Sequence, residues 1–205
     1  MRYLITGMSG TLGTALSDRL TKDGHECVGW AHMDPLVIDE PYDGAIHLAG
    51  KELLRPLKMC GLSEFDREFH PVIMLVELLA AAANGKIVNG GNIVVMSSVA
   101  AVCGVPGMSL YSAAKGAMES MVRSAAIELS TKRIRVNAVR AAGFSGAMND
   151  RITKIIGIDG AKKYEEKHPL GMGDPQSVVH AIMFLLENEW STGSIVTLDG
   201  GFSTQ

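Results

Sequence analysis

The chain is predicted to fold as an α/β protein on one mainly parallel sheet. Three observations carry that prediction. Short apolar runs alternate with amphipathic helical stretches from end to end, the rhythm of strand–helix–strand units. The first apolar run opens directly through a glycine-rich turn into a helix. The chain has 205 residues, 47% of them hydrophobic, and a length near 200 buries roughly 70% of the unfolded chain's surface, enough for one domain spanning 1–205.

The elements follow in order. Arg2–Thr6 reads as the first strand, Thr11–Lys22 as a helix stopped by Gly24, and Cys27–Trp30 as the second strand. Four more strands are expected at Ala45–Leu48, Asn92–Met96, Ile134–Val139 and Ser194–Leu198, and three helices at Ser63–Ala83, Ser112–Ser130 and Pro175–Asn188. Ser63-Glu64-Phe65-Asp66 has the spacing of a capping box with Asp66 in the reciprocal place. Asp174-Pro175 puts a capping carboxylate before a first-turn proline. The interval from Trp30 to Ala45 is too short for two helical crossovers of about a dozen residues each. The edge there is expected to shrink to an extended piece over 36–38 without full flanking helices.

Several function classes drop out. A net charge of −3 gives no basic field for nucleic acid; the one basic cluster, Lys132-Arg133-Ile134-Arg135, reads as cations at a helix C-terminus. The apolar stretch 72–83 is interrupted by Glu77 and falls short of the ~20 residues of a membrane span. With a strand pattern from the second residue onward, a cytoplasmic protein is expected. Cys27, Cys60 and Cys103 are widely spaced without a C-x-x-C pair, which fits reduced, buried thiols. The six histidines show no metal-binding spacing, and no metal is expected. The twelve methionines are read as core filling.

Chemistry concentrates in two places. The first strand runs into Thr6-Gly7-Met8-Ser9-Gly10-Thr11-Leu12-Gly13. There Gly7 permits a tight turn, Gly10 lets backbone approach a ligand, and Gly13 lets helix and strand pack closely. Unpaired N–H groups at the helix start would face an anion such as a pyrophosphate. The alternative is a glycine triplet serving only the tight connection. Gly50-Lys51 and Gly85-Lys86 lack the residues of a Walker-type loop. The second place follows the Asn92–Met96 strand: Ser98, then Tyr111 thirteen residues on and Lys115 four further. Tyr111 and Lys115 fall one helical turn apart on the same face. An ammonium beside a phenol stabilises phenolate, bringing a group that titrates near ~10 toward useful proton transfer.

Together these residues resemble the short-chain dehydrogenase/reductase family. The resemblance extends to Leu48-Ala49-Gly50 after the fourth expected strand, to Ile134-Arg135-Val136-Asn137, and to the Asp199-Gly200-Gly201 turn after the last strand. It implies a doubly wound Rossmann sheet in the order 3-2-1-4-5-6-7. It also implies a small-molecule carbonyl or secondary-alcohol substrate. Tyr111 would then transfer the proton, Ser98 would hydrogen-bond the substrate oxygen, and Lys115 would hold the nicotinamide ribose. The dinucleotide would lie on Thr6, Gly7, Ser9, Gly10, Thr11, Leu12 and Gly13, with His32, Leu48, Ala49, Gly50, Gly143, Phe144 and Ser145 along its length.

The departures from the family are as informative. Gly-x-x-Gly-x-x-Gly is the spacing of the extended and atypical branches. Where many members carry a catalytic asparagine, this chain has His70 or Val72. Pro71 lacks an N–H and would release the Arg67 carbonyl, and a kink there would offer a water-binding carbonyl in the asparagine's place. Ala142-Gly143 replaces Pro-Gly, and Ala147 stands where a threonine commonly holds the carboxamide, with Ser145 as its substitute. No acid stands at the end of the second strand, near Ala31 and His32, which tilts the cofactor from NAD toward NADP. The segment 144–170 lies where a substrate lid is expected. Ala113, Ala117, Met121 and Ala125 form a second apolar stripe beside Ala114, Met118, Val122 and Ala126, and with the family habit this suggests a homodimer or homotetramer. His47 lines the cofactor side or is a satisfied core histidine, the latter being favoured. The leading function is NAD(P)-dependent oxidoreduction; the rivals are a cofactor-binding sensor or scaffold, and an epimerase or dehydratase.

Overall fold

A computed structural model of the chain describes residues 1–31, 36, 38–51 and 54–204. Six parallel strands form one sheet: β1 (Arg2–Thr6), β2 (Glu26–Trp30), β3 (Tyr42–His47), β4 (Ile87–Ser98), β5 (Arg135–Ala141) and β6 (Ile195–Leu198). Their order is β2-β1-β3-β4-β5-β6. Helices α1 (Thr11–Lys22) and α5 (Pro175–Glu187) cover one face, α2 (Leu62–Ala83) and α3 (Ser109–Glu128) the other, and α4 (Ala147–Glu165) follows β5. Because both faces are covered, the strand centres are largely apolar, and alternate residues serve opposite cores. Leu4, Ile93, Val95 and Ala138 pack under α2 and α3. Tyr3, Ile5, Val94 and Val139 pack under α1 and α5.

The expected seven-strand order loses its outer member. Among the described residues the sheet ends at β2, and Leu36 and Ile38 lie in no strand; Val37 is outside the described residues. Ile38 is nevertheless buried in the α2/α3-side core, and its carbonyl accepts a 2.8 Å hydrogen bond from Lys86 Nζ. Eleven residues separate β2 from β3, too few for a helix, a strand and a return.

Other boundaries moved for identifiable reasons. Helix α2 starts one residue early, so Glu64 rather than Asp66 reaches back, accepting the Gly61 N–H at 3.0 Å. Asp174 caps α5 as expected, accepting from the Gln176 N–H at 2.7 Å. The basic cluster does cap helices, though not its own: Lys132 Nζ donates to Ala83 O at the end of α2 (2.5 Å), and Arg135 donates to Leu185 O and Leu186 O at the end of α5 (2.7 and 2.8 Å). The three cysteines are unpaired and half-buried rather than buried. Among the described residues no helix is long and apolar enough to cross a membrane.

Candidate active site

The carboxyl ends of β1, β3, β4 and β5 converge on one edge of the sheet, with the winding reversing between β1 and β3, where open α/β sheets leave a crevice. The glycine turn after β1 divides its labour. Gly7 has φ of +69°, and a Cβ there would lie 3.0 Å from Ala49 N, so this turn nests against the one after β3. A Cβ on Gly13 would lie 2.3 Å from Gly7 O, so the start of α1 presses on the turn beneath it. Gly10 has an ordinary φ of −78° and faces solvent, meeting only Gly7 O at 3.3 Å. Helix α1 has no side-chain cap at Gly10. Its opening N–H groups are thus presented to the crevice, a cradle fitted to an anion.

Below the turn, Thr6 is fully buried. Its hydroxyl accepts the Ala49 N–H at 3.0 Å and lies 3.0 Å from His47 Nδ1. The hydroxyl has one hydrogen and two lone pairs, so it can donate to Nδ1 while accepting from Ala49, the arrangement that, beside the Pro71 carbonyl, pairs with a proton on Nε2. That atom makes no regular hydrogen bond among the described residues, and the Pro71 carbonyl is the acceptor beside it. Burial first, and then the Lys115 ammonium, push the His47 pKa down to about 3, so the ring is neutral near pH 7.

Ser98 ends β4, and its Oγ accepts the Ala100 N–H at 3.2 Å, turning the chain. Helix α3 begins at Ser109, earlier than the sequence suggested, which puts Tyr111 in its first turn. Tyr111 is buried against Ala100 and Met108, with Val105 and Ile152 alongside. One turn on, Lys115 Nζ donates to Met96 O at 2.7 Å and sits 5.7 Å from the centroid of the Tyr111 ring. A Cβ on Gly50 would lie 3.2 Å from Nζ, so the backbone after β3 closes over the ammonium. Burial lowers the Lys115 pKa to about 8, against the opposing pull of Glu68 and then Glu119. Glu119 is itself held by Arg140 Nε and Nη2 (2.8 and 2.6 Å) and by Ser97 Oγ (2.7 Å).

A cleft of about 230 Å³ collects Gly7, Gly10, Thr11, Leu12, Gly13, Leu48 and Gly50 with Ser98, Tyr111, Lys115, Gly143 and Phe144. A second cleft shares Gly7 and Gly50 and runs past Ser9, Trp30, Ala31, Ala49, Lys51 and Arg67. The glycine turn thus joins the two. Thr6 lines neither cleft and acts from beneath, through Ala49. Ser145 is exposed and lines neither; its N–H bonds Gly173 O at 3.0 Å. His32 lies outside the described residues. Helix α2 runs through Pro71, and His70 and Pro71 face the second cleft.

Sequence reasoning missed what 144–170 contributes. The expected lid carries α4, with a non-helical Gly157 inside it. Asn149, Arg151 and Tyr164 from this helix line the first cleft, with Phe202 from the C-terminal turn. Gly143 N–H donates to His168 Nε2 at 3.2 Å, and His168 Nδ1 in turn donates to Tyr164 O at 2.9 Å. The rings of Tyr164, His168 and Phe202 pack together behind Gly143. The Ala147 N–H lies 3.4 Å from Thr11 Oγ1, so the start of α4 meets the start of α1.

A family model described as "Enoyl-(Acyl carrier protein) reductase" matches residues 40–203. The chain belongs to the short-chain dehydrogenase/reductase family. Among its relatives, carbonyl reductase [NADPH] 2 of Sus scrofa is 32% identical over 168 residues, covering 79% of this chain and 68% of the relative. The 3-oxoacyl-[acyl-carrier-protein] reductase of Mus musculus is 39% identical over 127 residues, covering 59% of this chain and 49% of the relative. The matched part thus spans from about half to just over two thirds of those relatives' length. A short chain dehydrogenase family protein from Francisella tularensis superposes with a TM-score of 0.88 at 21% identity, covering 100% of this chain and 99% of the other. A 4-hydroxyisoleucine dehydrogenase complexed with NADH gives 0.85 at 18%, covering 100% and 99%. This short-chain dehydrogenase/reductase is therefore an oxidoreductase on an NAD(P)-binding Rossmann-type fold. The uncapped α1 start and the open space at Gly10 fit the pyrophosphate such a fold carries.

Proposed function

We propose that the chain interconverts a small-molecule carbonyl and a secondary alcohol, using Tyr111 as proton donor and acceptor with Ser98 and Lys115. One observation supports this above the rest: the Tyr111 phenol and the Gly10 cradle line the same cleft. The bound nicotinamide supplies or takes the hydride. Tyr111 Oη donates its proton to the substrate oxygen as the alcohol forms and recovers it in reverse. Ser98 Oγ already accepts from the Ala100 N–H, so its own hydrogen is directed elsewhere and can hold the same oxygen. The Lys115 ammonium stabilises the phenolate that results. Val99, Val105, Met108 and Ile152 give the site apolar walls, which strengthen these charges by excluding water.

NADP is the proposed cofactor form. Lys51 and Arg67 line the second cleft beside Ala31 at the end of β2, where cations can meet a ribose 2′-phosphate. Asp66 is the acid among the described lining residues. A cytoplasmic homodimer or homotetramer is proposed as well, supported by Ala113, Ala117 and Met121, which α3 leaves open or half-open beside its buried stripe.

The deciding experiment follows reduced-cofactor absorbance for Tyr111→Phe over a panel of ketones. Turnover should fall about 10²- to 10⁴-fold, the usual worth of a positioned general acid, while cofactor affinity stays near that of the parent. Undiminished turnover would remove Tyr111 from the chemistry. Parent enzyme that binds cofactor but turns over no carbonyl and no alcohol would favour a sensor or scaffold.

A further inference from the structure

The chemistry proposed above leaves one phenol of the cleft without a task. Tyr164, in the last turn of α4, lines the same cleft as Tyr111. Its ring lies against Gly143: a Cβ there would stand 2.8 Å from Tyr164 Cε1 and 2.9 Å from Oη, so glycine alone leaves it room. His168 meets the ring edge-on at a centroid distance of 5.0 Å, and Phe202 lies at 5.9 Å. His168 Nδ1 also donates to the Tyr164 carbonyl at 2.9 Å while Nε2 accepts the Gly143 N–H, which ties the end of α4 to the loop after β5. Such a mount orients the phenol before anything binds.

The Tyr164 hydroxyl makes no hydrogen bond among the described residues, and it is not sealed from the cleft. Burial raises its pKa, so near pH 7 it keeps its hydrogen and can both donate and accept. Other polar groups of the cleft are engaged: Thr11 Oγ1 lies 3.4 Å from the Ala147 N–H, Ser97 Oγ donates to Glu119, and Lys115 Nζ donates to Met96 O. Asn149 lines the cleft from the first turn of α4, and its amide has no hydrogen bond among the described residues to orient it. No carboxylate stands among the described lining residues to repel an electronegative group. An oriented donor and acceptor in apolar surroundings favours a ligand that brings it an oxygen and disfavours one that leaves it unpaired.

We infer that Tyr164 is a specificity-determining residue whose hydroxyl binds a second oxygen on the substrate, so that hydroxyketones and dicarbonyl compounds are preferred to plain ketones. The reacting oxygen goes to Tyr111 and Ser98, and the second oxygen to Tyr164. The inference rests on the carbonyl–alcohol reading given under Proposed function.

The test compares cyclohexanone with its 2-, 3- and 4-hydroxy derivatives at saturating reduced cofactor. The parent should favour at least one hydroxyketone over cyclohexanone in kcat/KM by about 3- to 10-fold, the usual effect of one neutral hydrogen bond, and Tyr164→Phe should abolish that preference while cyclohexanone stays within about twofold. A parent without the preference overturns the inference, as does a preference that survives in Tyr164→Phe, which would pass the role to another polar side chain such as Asn149. Weaker cofactor binding in the variant, with all four ketones lowered alike, would place the hydroxyl on the nicotinamide carboxamide and overturn it as well. Should Tyr164→Phe not fold, Tyr164→Leu is read in the same way. If the parent reduces none of the four, their dissociation constants on cofactor-loaded protein, from saturation-transfer NMR, are compared for parent and variant, and equal or absent binding overturns the inference. Undiminished turnover in Tyr111→Phe would sink the functional reading and leave this comparison standing.

Discussion

Gly10 and Gly13 lie three residues apart in one turn, and the structure gives them opposite duties that alanine can separate. At Gly13 the added Cβ would stand 2.3 Å from Gly7 O and 2.6 Å from Met8 Cα and O. All are backbone atoms, so relief requires α1 to slide by about an ångström away from β1, out of the core formed by Leu12, Leu16 and Leu20. Overpacking typically costs ~1–3 kcal/mol, and a clash against rigid backbone belongs at the top of that range. For a chain of this size, about 3 kcal/mol lowers Tm by roughly 6–12 °C. At Gly10 the backbone is already compatible with alanine, and the nearest atom is at 3.3 Å. Its stability cost should stay within about 0.5 kcal/mol, as for a surface substitution. The methyl group instead enters the space left for an anion, and cofactor affinity should fall by about tenfold or more, ~1.4 kcal/mol. Scanning calorimetry and fluorescence titration with reduced cofactor read the two effects separately. A Gly13→Ala protein melting with the parent, or a Gly10→Ala protein binding cofactor undiminished, would refute the division of labour.

Two further outcomes are expected. His47 is held neutral by burial with its pKa near 3, so the unfolded state binds more protons below pH 6.5. Stability should decline as pH falls from about 6.5 toward 3, by up to ~1.4 kcal/mol per pH unit from this group, and urea unfolding of the parent against His47→Asn should show a shallower decline in the variant. Arg67→Ala should raise the Kd for NADPH several-fold and leave that for NADH nearly unchanged; equal losses for both would place the 2′-phosphate elsewhere.

What the sequence disclosed depended on how locally each feature is determined. The turn at 6–13 was legible because strand, glycines and helix adjoin in the chain, and Gly7 and Gly13 have the roles their spacing implies. Tyr111 and Lys115 were legible because a helical turn relates them. The order of the inner strands followed from family resemblance; at the outer edge, among the described residues, Leu36 and Ile38 lie in no strand and Ile38 is buried in the core. Thr6 and Ser145 show the limit of carrying motif positions over one by one. Thr6 is turned inward to Ala49 and His47, and Ser145 is not among the residues lining the cleft, its N–H bonded to Gly173 O.

The least legible residues are those that reach the cleft by folding back. Arg151 and Tyr164 carry no motif, and His168 lies twenty-five residues from Gly143, whose N–H it accepts. Their placement depends on contacts made once the chain has doubled over. A Cβ at Gly143 would meet Tyr164 Cε1 at 2.8 Å and Met172 Cε at 2.5 Å, and one at Gly146 would meet Thr11 Cγ2 at 2.9 Å. The glycines after β5 are therefore answered by side chains from α4 and its sequel and from the first turn of α1. Such complementarity between distant segments has no period and no spacing. It explains why a strand-and-glycine reading finds the glycine-turn end of the cleft and leaves the α4 end to the structure.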